Sequence, residues 1–424
     1  MMQYKQKLCS GDFDEILAAL YGVDGLEEGR RRACAVLDQF ATHFPNSQSG
    51  AVLFSAPGRT ELGGNHTDHQ HGCVLCGSVD LDILACAAPN GTNCIRVISE
   101  GYTPLEVVLD DLKPCVAEKN TSAALIRGIA AKITQLGHCV MGLDICMTSN
   151  VLSGSGLSSS AAYEVLIGTV VNHFCCGDAL DEVQIAQIGQ WAENVYFGKP
   201  CGLMDQMACS VGSAVAIDFA DPSAPIVTKV SFNFDKCGYA LCIIDTRSSH
   251  DDLTEDYAAI PREMASIAAF FGKEVLRDVP EDEFWATLTK LRPACGDRAV
   301  LRTIHFFREN RRAQAEAEAL KQGDFAAFLE LVNASGRSSE LLLQNIWSPN
   351  NPQAQAVSLA LEYGRILLDG EGAIRVHGGG FAGTIQAFVP LTKLADFRHK
   401  MEVLLGEGSC HILRIRPVGG IALK

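Results

Sequence analysis

Gly154 and Gly156 stand just ahead of Ser158, Ser159 and Ser160 in the segment SNVLSGSGLSSSAAYEVLIG, and the serines open a run of helical apolar spacing. Glycines let the backbone approach a phosphate closely, and the free amides of a helix's first turn point at it along a favourable dipole. The segment is an anion cradle by its chemistry; the plainer alternative is a Gly-Ser turn in which Ser158 caps the helix. No lysine follows at GxxxxGK[ST] spacing, and Ser159 stands where GxGxxG needs its third glycine. A Walker loop and a dinucleotide fingerprint are both disfavoured, and a nicotinamide-dependent oxidoreductase with them.

Residues 55–72, SAPGRTELGGNHTDHQHG, set Arg59, Glu61, Asn65, His66, Asp68, His69 and His71 among four glycines directly after a strand-like run. So many donors and acceptors on a glycine-shaped turn suit a polyhydroxylated ligand. Three histidines beside an aspartate also raise a metal site, but the spacing gives neither HExxH nor a helical i, i+4 pair. Cys73 and Cys76 form a lone CxxC without a second pair, and most of the 17 cysteines sit in apolar company, as small hydrophobes in a reducing compartment do.

The elements that must hold these segments are legible from periodicity. Residues 27–44 are helical in spacing, AVLFSAPGR is a strand expected to stop at Pro57 and Gly58, and β-like runs follow at GCVLCGSVDLDILACAAP, CIRVIS, LEVVL and LDICMTS. Helical patterns are SAALIRGIAAKITQL, SSSAAYEVLIGTVVNHF and EVQIAQIGQWAENVYF. A second set begins with IVTKVSF and YALCIIDT, runs through helices at 253–273 and 299–345, and ends in AIRVHGGGFAGTIQAFVP and a strand at HILRIRPVG. Early strands followed by helices predict an α+β fold rather than an alternating parallel sheet. The prolines of IDFADPSAP place the seam between two domains near 215–228, giving domains 1–220 and 221–424.

A chain of 424 residues with 47% hydrophobic content is long enough for two cores. Its apolar runs fall short of the ~20 residues a bilayer span needs, and MMQYKQKLCSGDFDE has no signal-peptide core, so a cytoplasmic protein without membrane partners is expected. A net charge of −15 argues against a general nucleic-acid binder. An anionic nucleotide would need positive potential made locally by amides, a helix terminus and a metal.

With HGGGFAG at 377–383, the chain resembles the GHMP small-molecule kinase superfamily, and residues 58–69 resemble the galactokinase signature in particular. That signature runs roughly G-R-x-N-[hydrophobic]-[hydrophobic]-G-E-H-x-D-Y, against GRTELGGNHTDH here. The glycine-serine loop resembles P-x-G-x-G-L-S-S-S-A, and HGGGFAG resembles T-G-G-G-F-G-G, in the same order and separation.

The resemblance implies a two-domain GHMP kinase architecture with the active site in the cleft, and an ATP-dependent sugar 1-kinase acting on galactose. Asp205, in CGLMDQMACSVG, matches the base that takes the anomeric proton, and Arg59 the cation that stabilises the transferring phosphoryl group. Gly154, Ser155, Gly156, Leu157, Ser158, Ser159 and Ser160 match the phosphate loop, Ser99 an adenosine contact, and Ser160 with Glu193 the magnesium ligands. Asn65, His66, Thr67, Asp68, Gly202 and Tyr257 match the sugar-binding positions. ATP, Mg2+ and a monosaccharide are the implied partners, for a monomer or weak homodimer. HGGGFAG is implied to close over the nucleotide side.

The pattern is not kept throughout. Glu61 replaces Asn, Gly63 a hydrophobic residue, Asn65 the usual Glu and His69 the usual Tyr, while NASGRSSELLLQNIWSPN replaces the C-terminal stretches typical of galactokinases. In that family the glutamate at position 65 faces the sugar's C6. Asn65 there would relax discrimination against a C6 carboxylate. Galacturonate or N-acetylgalactosamine are therefore alternative substrates, and a non-catalytic galactose sensor is a reading from another class.

Overall fold

Val52–Gly63 (β1) and Cys73–Pro89 (β2) pair antiparallel along nearly their whole length and form the spine of the computed structural model, which describes residues 2–152, 156–199, 201–248 and 253–424. Cys94–Ser99 (β3), Leu105–Val108 (β4), Leu143–Ser149 (β5), Ala214–Asp218 (β6) and Ile226–Val230 (β7) extend that sheet; Tyr239–Asp245 (β8), Ala373–Val376 (β9), Thr384–Pro390 (β10) and Cys410–Leu413 (β11) form a second one. The last strand, Ile421–Leu423 (β12), returns to the first sheet, whose order is β12-β1-β2-β5-β3-β4 with the β6–β7 hairpin on β2. The second sheet runs β11-β8-β10-β9. Among the described residues only β3 and β5 pair in parallel, and the α+β class holds.

Alternation along the strands explains why β2 is apolar on both faces. Leu84, Cys86 and Ala88 pack with Leu53 and Cys146 against the helices Asp14–Tyr21 and Leu26–His43, while Ile83, Ala85 and Ala87 face the helices Ser122–Gln135, Ser159–Val171 and Glu182–Ala192. In the second sheet Cys242, Ile244, Ile374 and Ala387 bury one face against Ala356–Leu368 and Leu394–Leu405. Every cysteine is a free thiol, and most of the buried ones are packing groups on strands.

One expectation needs correction. β1 does not stop at Pro57 and Gly58 but continues to Gly63, with pairing irregularities between Pro57 and Arg59 and between Glu61 and Gly63. Its pairing with β12 ends at Ser55, so Pro57 lies on a stretch paired on one side alone, where a missing N–H costs no ladder bond. The division at 220 falls within the β6–β7 hairpin, both strands of which belong to the first sheet, and β12 crosses back from the far end of the chain. The irregular continuation of β1 is what carries Arg59 to the cleft.

Candidate active site

Arg59 sits on β1 and Asp205 in the first turn of the short helix Met204–Val211, where a carboxylate is favoured by the helix dipole. Arg59 Nε donates to Asp205 Oδ1 at 2.7 Å. The Arg59 side chain is 8% exposed and that of Asp205 32%, so the cation is enclosed while the carboxylate keeps an open face for a substrate proton. Burial pushes the Asp205 carboxyl up, but the charge and hydrogen bond of Arg59 and the Ser158 hydroxyl outweigh it and hold it below the usual carboxylate range. Asp205 is an ionised acceptor beside a fixed cation, the pairing that proton abstraction and stabilisation of phosphoryl charge both require.

The glycine-serine segment meets this pair directly. Arg59 donates from its guanidinium to the Gly156 carbonyl and from its backbone N–H to Leu157 O at 3.0 Å. Ser158 Oγ donates to Asp205 Oδ2 at 2.5 Å. The alternative of Ser158 as a capping serine is set aside, because its side chain makes no capping bond to the helix that starts at Ser159. Gly154 and Ser155 lie outside the described residues.

Ser159 and Ser160 line a cavity of about 590 Å³ together with Ser99, and apolar walls come from Ile83, Val97, Leu125, Met147 and Phe197. A largely apolar slot ending at a helix N-terminus has the chemistry that suits a flat apolar ring at one end and an anion at the other. Three expected nucleotide-side residues are thus brought together.

Glu193 opens a single π-helical turn, Glu193–Phe197, at the end of the helix Glu182–Ala192, an irregularity that turns its carboxylate inward. Gln206 Nε2 donates to Glu193 Oε2 and to Glu164 Oε2, both at 2.9 Å, and Lys199 Nζ lies 3.5 Å from Glu193 Oε1. Burial and the neighbouring Glu193 push Glu164 well above the usual carboxylate range, and its Oε1 has no hydrogen-bond partner. Glu164 and Gln206 escaped the sequence reading. Glu164 lies four residues after Ser160 on one helix, a spacing that puts both on one face and was available as a signal.

In the sugar-signature segment, His66 Nε2 bonds Gly379 O at 3.0 Å and the Asp68 carboxylate abuts Gly202, where a Cβ would come within 2.4 Å of Oδ2. Tyr257 donates its hydroxyl to Gly380 O at 2.7 Å and stands edge-on to Phe381. The HGGG turn therefore holds His66 and Tyr257, both expected to bind sugar, from the second sheet, and it touches the glycine-serine segment as well. It does the latter through His377, whose ring spans Thr60 Oγ1 at 3.1 Å and Thr384 Oγ1 at 2.9 Å and lies against Gly156. Burial and the charges of Arg59 and Arg375 push His377 well below the usual range, so the ring is neutral.

Two expected sugar contacts are enclosed. The Thr67 hydroxyl reaches only the carbonyls of Gly64 and Cys73. Asn65 is fully buried: Nδ2 donates to Gly378 O at 2.7 Å and Glu61 Oε1 at 3.1 Å, and Oδ1 accepts from Asn345 Nδ2 at 3.0 Å and Ser339 Oγ at 3.2 Å. Its side chain has no remaining capacity to read C6. Glu61 in turn pairs with the buried guanidinium of Arg375. The two departures meet in space: Glu61 and Asn65 are a carboxylate and an amide hydrogen-bonded to each other, in the reverse order to the Asn and Glu of the galactokinase pattern.

His69, in the signature's tyrosine position, has both ring nitrogens buried and unpartnered, and burial pulls it down to about 4 despite Asp68. It is a neutral ring packed edge-on to His66.

Comparison with known proteins bears on the same segments of the chain. Residues 124–213, which carry Ser160, Glu193 and Asp205, match the family profile of the GHMP kinases N-terminal domain. Residues 38–89, which carry Arg59, His66 and Asp68, match the galactokinase galactose-binding signature. The Lactococcus lactis galactokinase complexed with galactose shares the fold over 92% of this chain and 99% of its own, at a TM-score of 0.77 and 22% identity. The Methanococcus jannaschii mevalonate kinase shares it over 87% and 99%, at 0.61 and 14%. The chain thus matches the GHMP kinases N-terminal domain over residues 124–213 and the galactokinase galactose-binding signature over residues 38–89, and its fold is common to these kinases along nearly the whole length.

Proposed function

We propose that the protein transfers the γ-phosphoryl group of ATP to the anomeric hydroxyl of galactose, giving galactose 1-phosphate and ADP. The observation that carries this reading is the Arg59–Asp205 pair, gripped by the glycine-serine segment, with Asp68 packed against Gly202, shortly before Asp205 in the chain. Asp205 accepts the anomeric proton as the oxygen bonds to phosphorus, and the bond to the β-phosphate oxygen breaks with its electron pair going to ADP. Arg59, enclosed and unable to lose its proton, stands beside the charge that builds on the transferring group. His66, Asp68, Gly202 and Tyr257 present donors, acceptors and a close-approaching backbone to the sugar's hydroxyls.

The residues around the phosphate end fit magnesium. Ser160 supplies a hydroxyl and Glu193 a carboxylate, hard oxygens of the kind that hold this ion together with phosphates and waters, and the unpartnered Glu164 Oε1 shows unsatisfied oxygen nearby. Bound there, the ion would neutralise triphosphate charge that the chain's net −15 disfavours. Gln206 and Lys199 keep Glu193 aimed inward.

ADP release measured over a panel of monosaccharides, with the position of the phosphate read by NMR, tests the reading. Galactose as the best acceptor, phosphorylated on the anomeric oxygen, is the expected result; no sugar-dependent ADP release from any member overturns it. A second reading, a C6-modified or amino sugar as acceptor, draws on the unpartnered His69 in the signature's tyrosine position, and the same panel includes galacturonate and N-acetylgalactosamine.

A further inference from the structure

Ser158 is a non-glycine residue held in the left-handed region, at φ 55° and ψ 61°. That conformation crowds a Cβ against the backbone and costs roughly 1 kcal/mol for an L-residue. Serine at a helix's N-terminal boundary ordinarily caps the helix from an extended backbone, whereas Ser158 is left-handed and its hydroxyl makes no capping bond. It donates to Asp205 Oδ2 at 2.5 Å instead. Its two predecessors hold the other half of the pair, Gly156 O and Leu157 O both accepting from Arg59. Three consecutive residues of the segment that faces the nucleotide thus grip both members of the pair, and a strained backbone is maintained so that one hydroxyl can reach the base.

Resting on the kinase reading above, we infer that Ser158 is a positioning residue for the base, its hydroxyl serving Asp205 rather than a phosphate. One carboxylate oxygen is fixed by Arg59 Nε and the other by Ser158, which sets the plane of the carboxylate and leaves each oxygen a lone pair toward the cleft. Because the same segment forms the floor for the phosphates, the orientation of the base is tied to the backbone on which the nucleotide sits. The groups that face Asp205 electrostatically are Arg59, Lys199, Glu164, His377 and the thiols of Cys76 and Cys209. Among the hydrogen bonds that reach it, that of Ser158 is the one a side-chain truncation removes without touching a charge.

Ser158→Gly separates the hydroxyl from the backbone, since glycine adopts the left-handed conformation without strain. The variant is expected to match or exceed the parent in melting temperature and to bind a non-hydrolysable ATP analogue within about twofold of it. Its kcat on galactose should fall roughly 10- to 100-fold, the range for a lost hydrogen bond to a charged group. The acid limb of its kcat–pH profile should move to higher pH, because the carboxylate has lost a donor that favours its ionised form. Unchanged kcat and pH profile in Ser158→Gly, alongside an inactive Asp205→Asn, would overturn the inference while leaving the kinase reading in place. Weakened analogue binding with kcat retained would make Ser158 a phosphate contact and overturn it too. An Asp205→Asn variant with normal turnover removes the base assignment and the inference together.

Discussion

Gly63 on β1 lies directly against the carboxyl of Glu316 in the helix Asp297–Lys321; a Cβ at Gly63 would come within 1.5 Å of Glu316 Oε2. The absent hydrophobic side chain of the signature is filled by a carboxyl group from the C-terminal half. Gly63→Ala should therefore destabilise the protein by roughly 1–3 kcal/mol, the usual cost of overpacking a closed site. Denaturant melts should show Glu316→Ala recovering part of that loss in the double variant. A Gly63→Ala protein as stable as the parent would mean that Glu316 moves aside freely.

Glu316 also has a pH signature. Both its oxygens lack hydrogen-bond partners; burial first, then the Glu309 and Glu61 carboxylates, push it well above the usual range, against Arg375 and Arg312. The folded state thus holds a proton that the unfolded chain gives up near its ordinary glutamate value, and stability falls as pH rises from there toward the raised folded value. Glu316→Gln, neutral at every pH, should gain on the parent as unfolding is compared at pH 5 and then at pH 8. A difference that is equal at the two pH values would show that this carboxyl is not the neutral one.

The three motifs were legible because each is local: glycines, serines and charges within a dozen residues. Helices with one clean apolar stripe, such as Leu26–His43 and Ser122–Gln135, were legible for the same reason. Glu281–Cys295 and Leu394–Leu405 were not, because each buries only two residues and shows the sequence mostly a charged surface. The Asn65 environment was illegible in principle. Its partners Ser339, Asn345 and Gly378 come from more than 270 positions away, and only the fold puts them around the amide. The reach of β1 through Pro57 likewise depended on where β12 stops, which no local pattern records.

Asp205→Asn should lower turnover by at least ~100-fold, because the amide keeps the shape but accepts no proton. Nucleotide affinity should change little, since Asp205 hydrogen-bonds to Arg59 and Ser158 and does not line the cavity that holds Ser99 and Ser160. Turnover near the parent's would remove Asp205 from the base role.

Ser160→Ala combined with Glu193→Gln should raise the magnesium concentration needed for half-maximal activity, and weaken Mn2+ binding followed by electron paramagnetic resonance in the presence of nucleotide. The spectroscopic readout separates loss of the ion from loss of chemistry. Activity undiminished in excess chelator would show that these oxygens are not needed for an ion.

The exchanged pair gives the sharpest test of how the signature departs. Asn65→Glu, taken alone, sets a second carboxylate beside Glu61 and an acceptor against the Gly378 carbonyl, where the amide now donates to both. Glu61→Asn, taken alone, leaves the buried Arg375 guanidinium without the carboxylate it pairs with. Each single change should cost roughly 3 kcal/mol, as breaking one side of a buried charged network does. Making both restores one carboxylate and one amide in the order of the galactokinase pattern, so the double variant should be more stable than the sum of the singles predicts, by about 0.5–3 kcal/mol of coupling. The same variants decide what Asn65 does for the sugar. With its amide fully engaged by protein groups, the ratio of catalytic efficiencies on galactose and galacturonate should be the same in the parent and in the double variant. Additive stabilities would dissolve the pair into two unrelated substitutions, and a changed ratio would return position 65 to the sugar's C6.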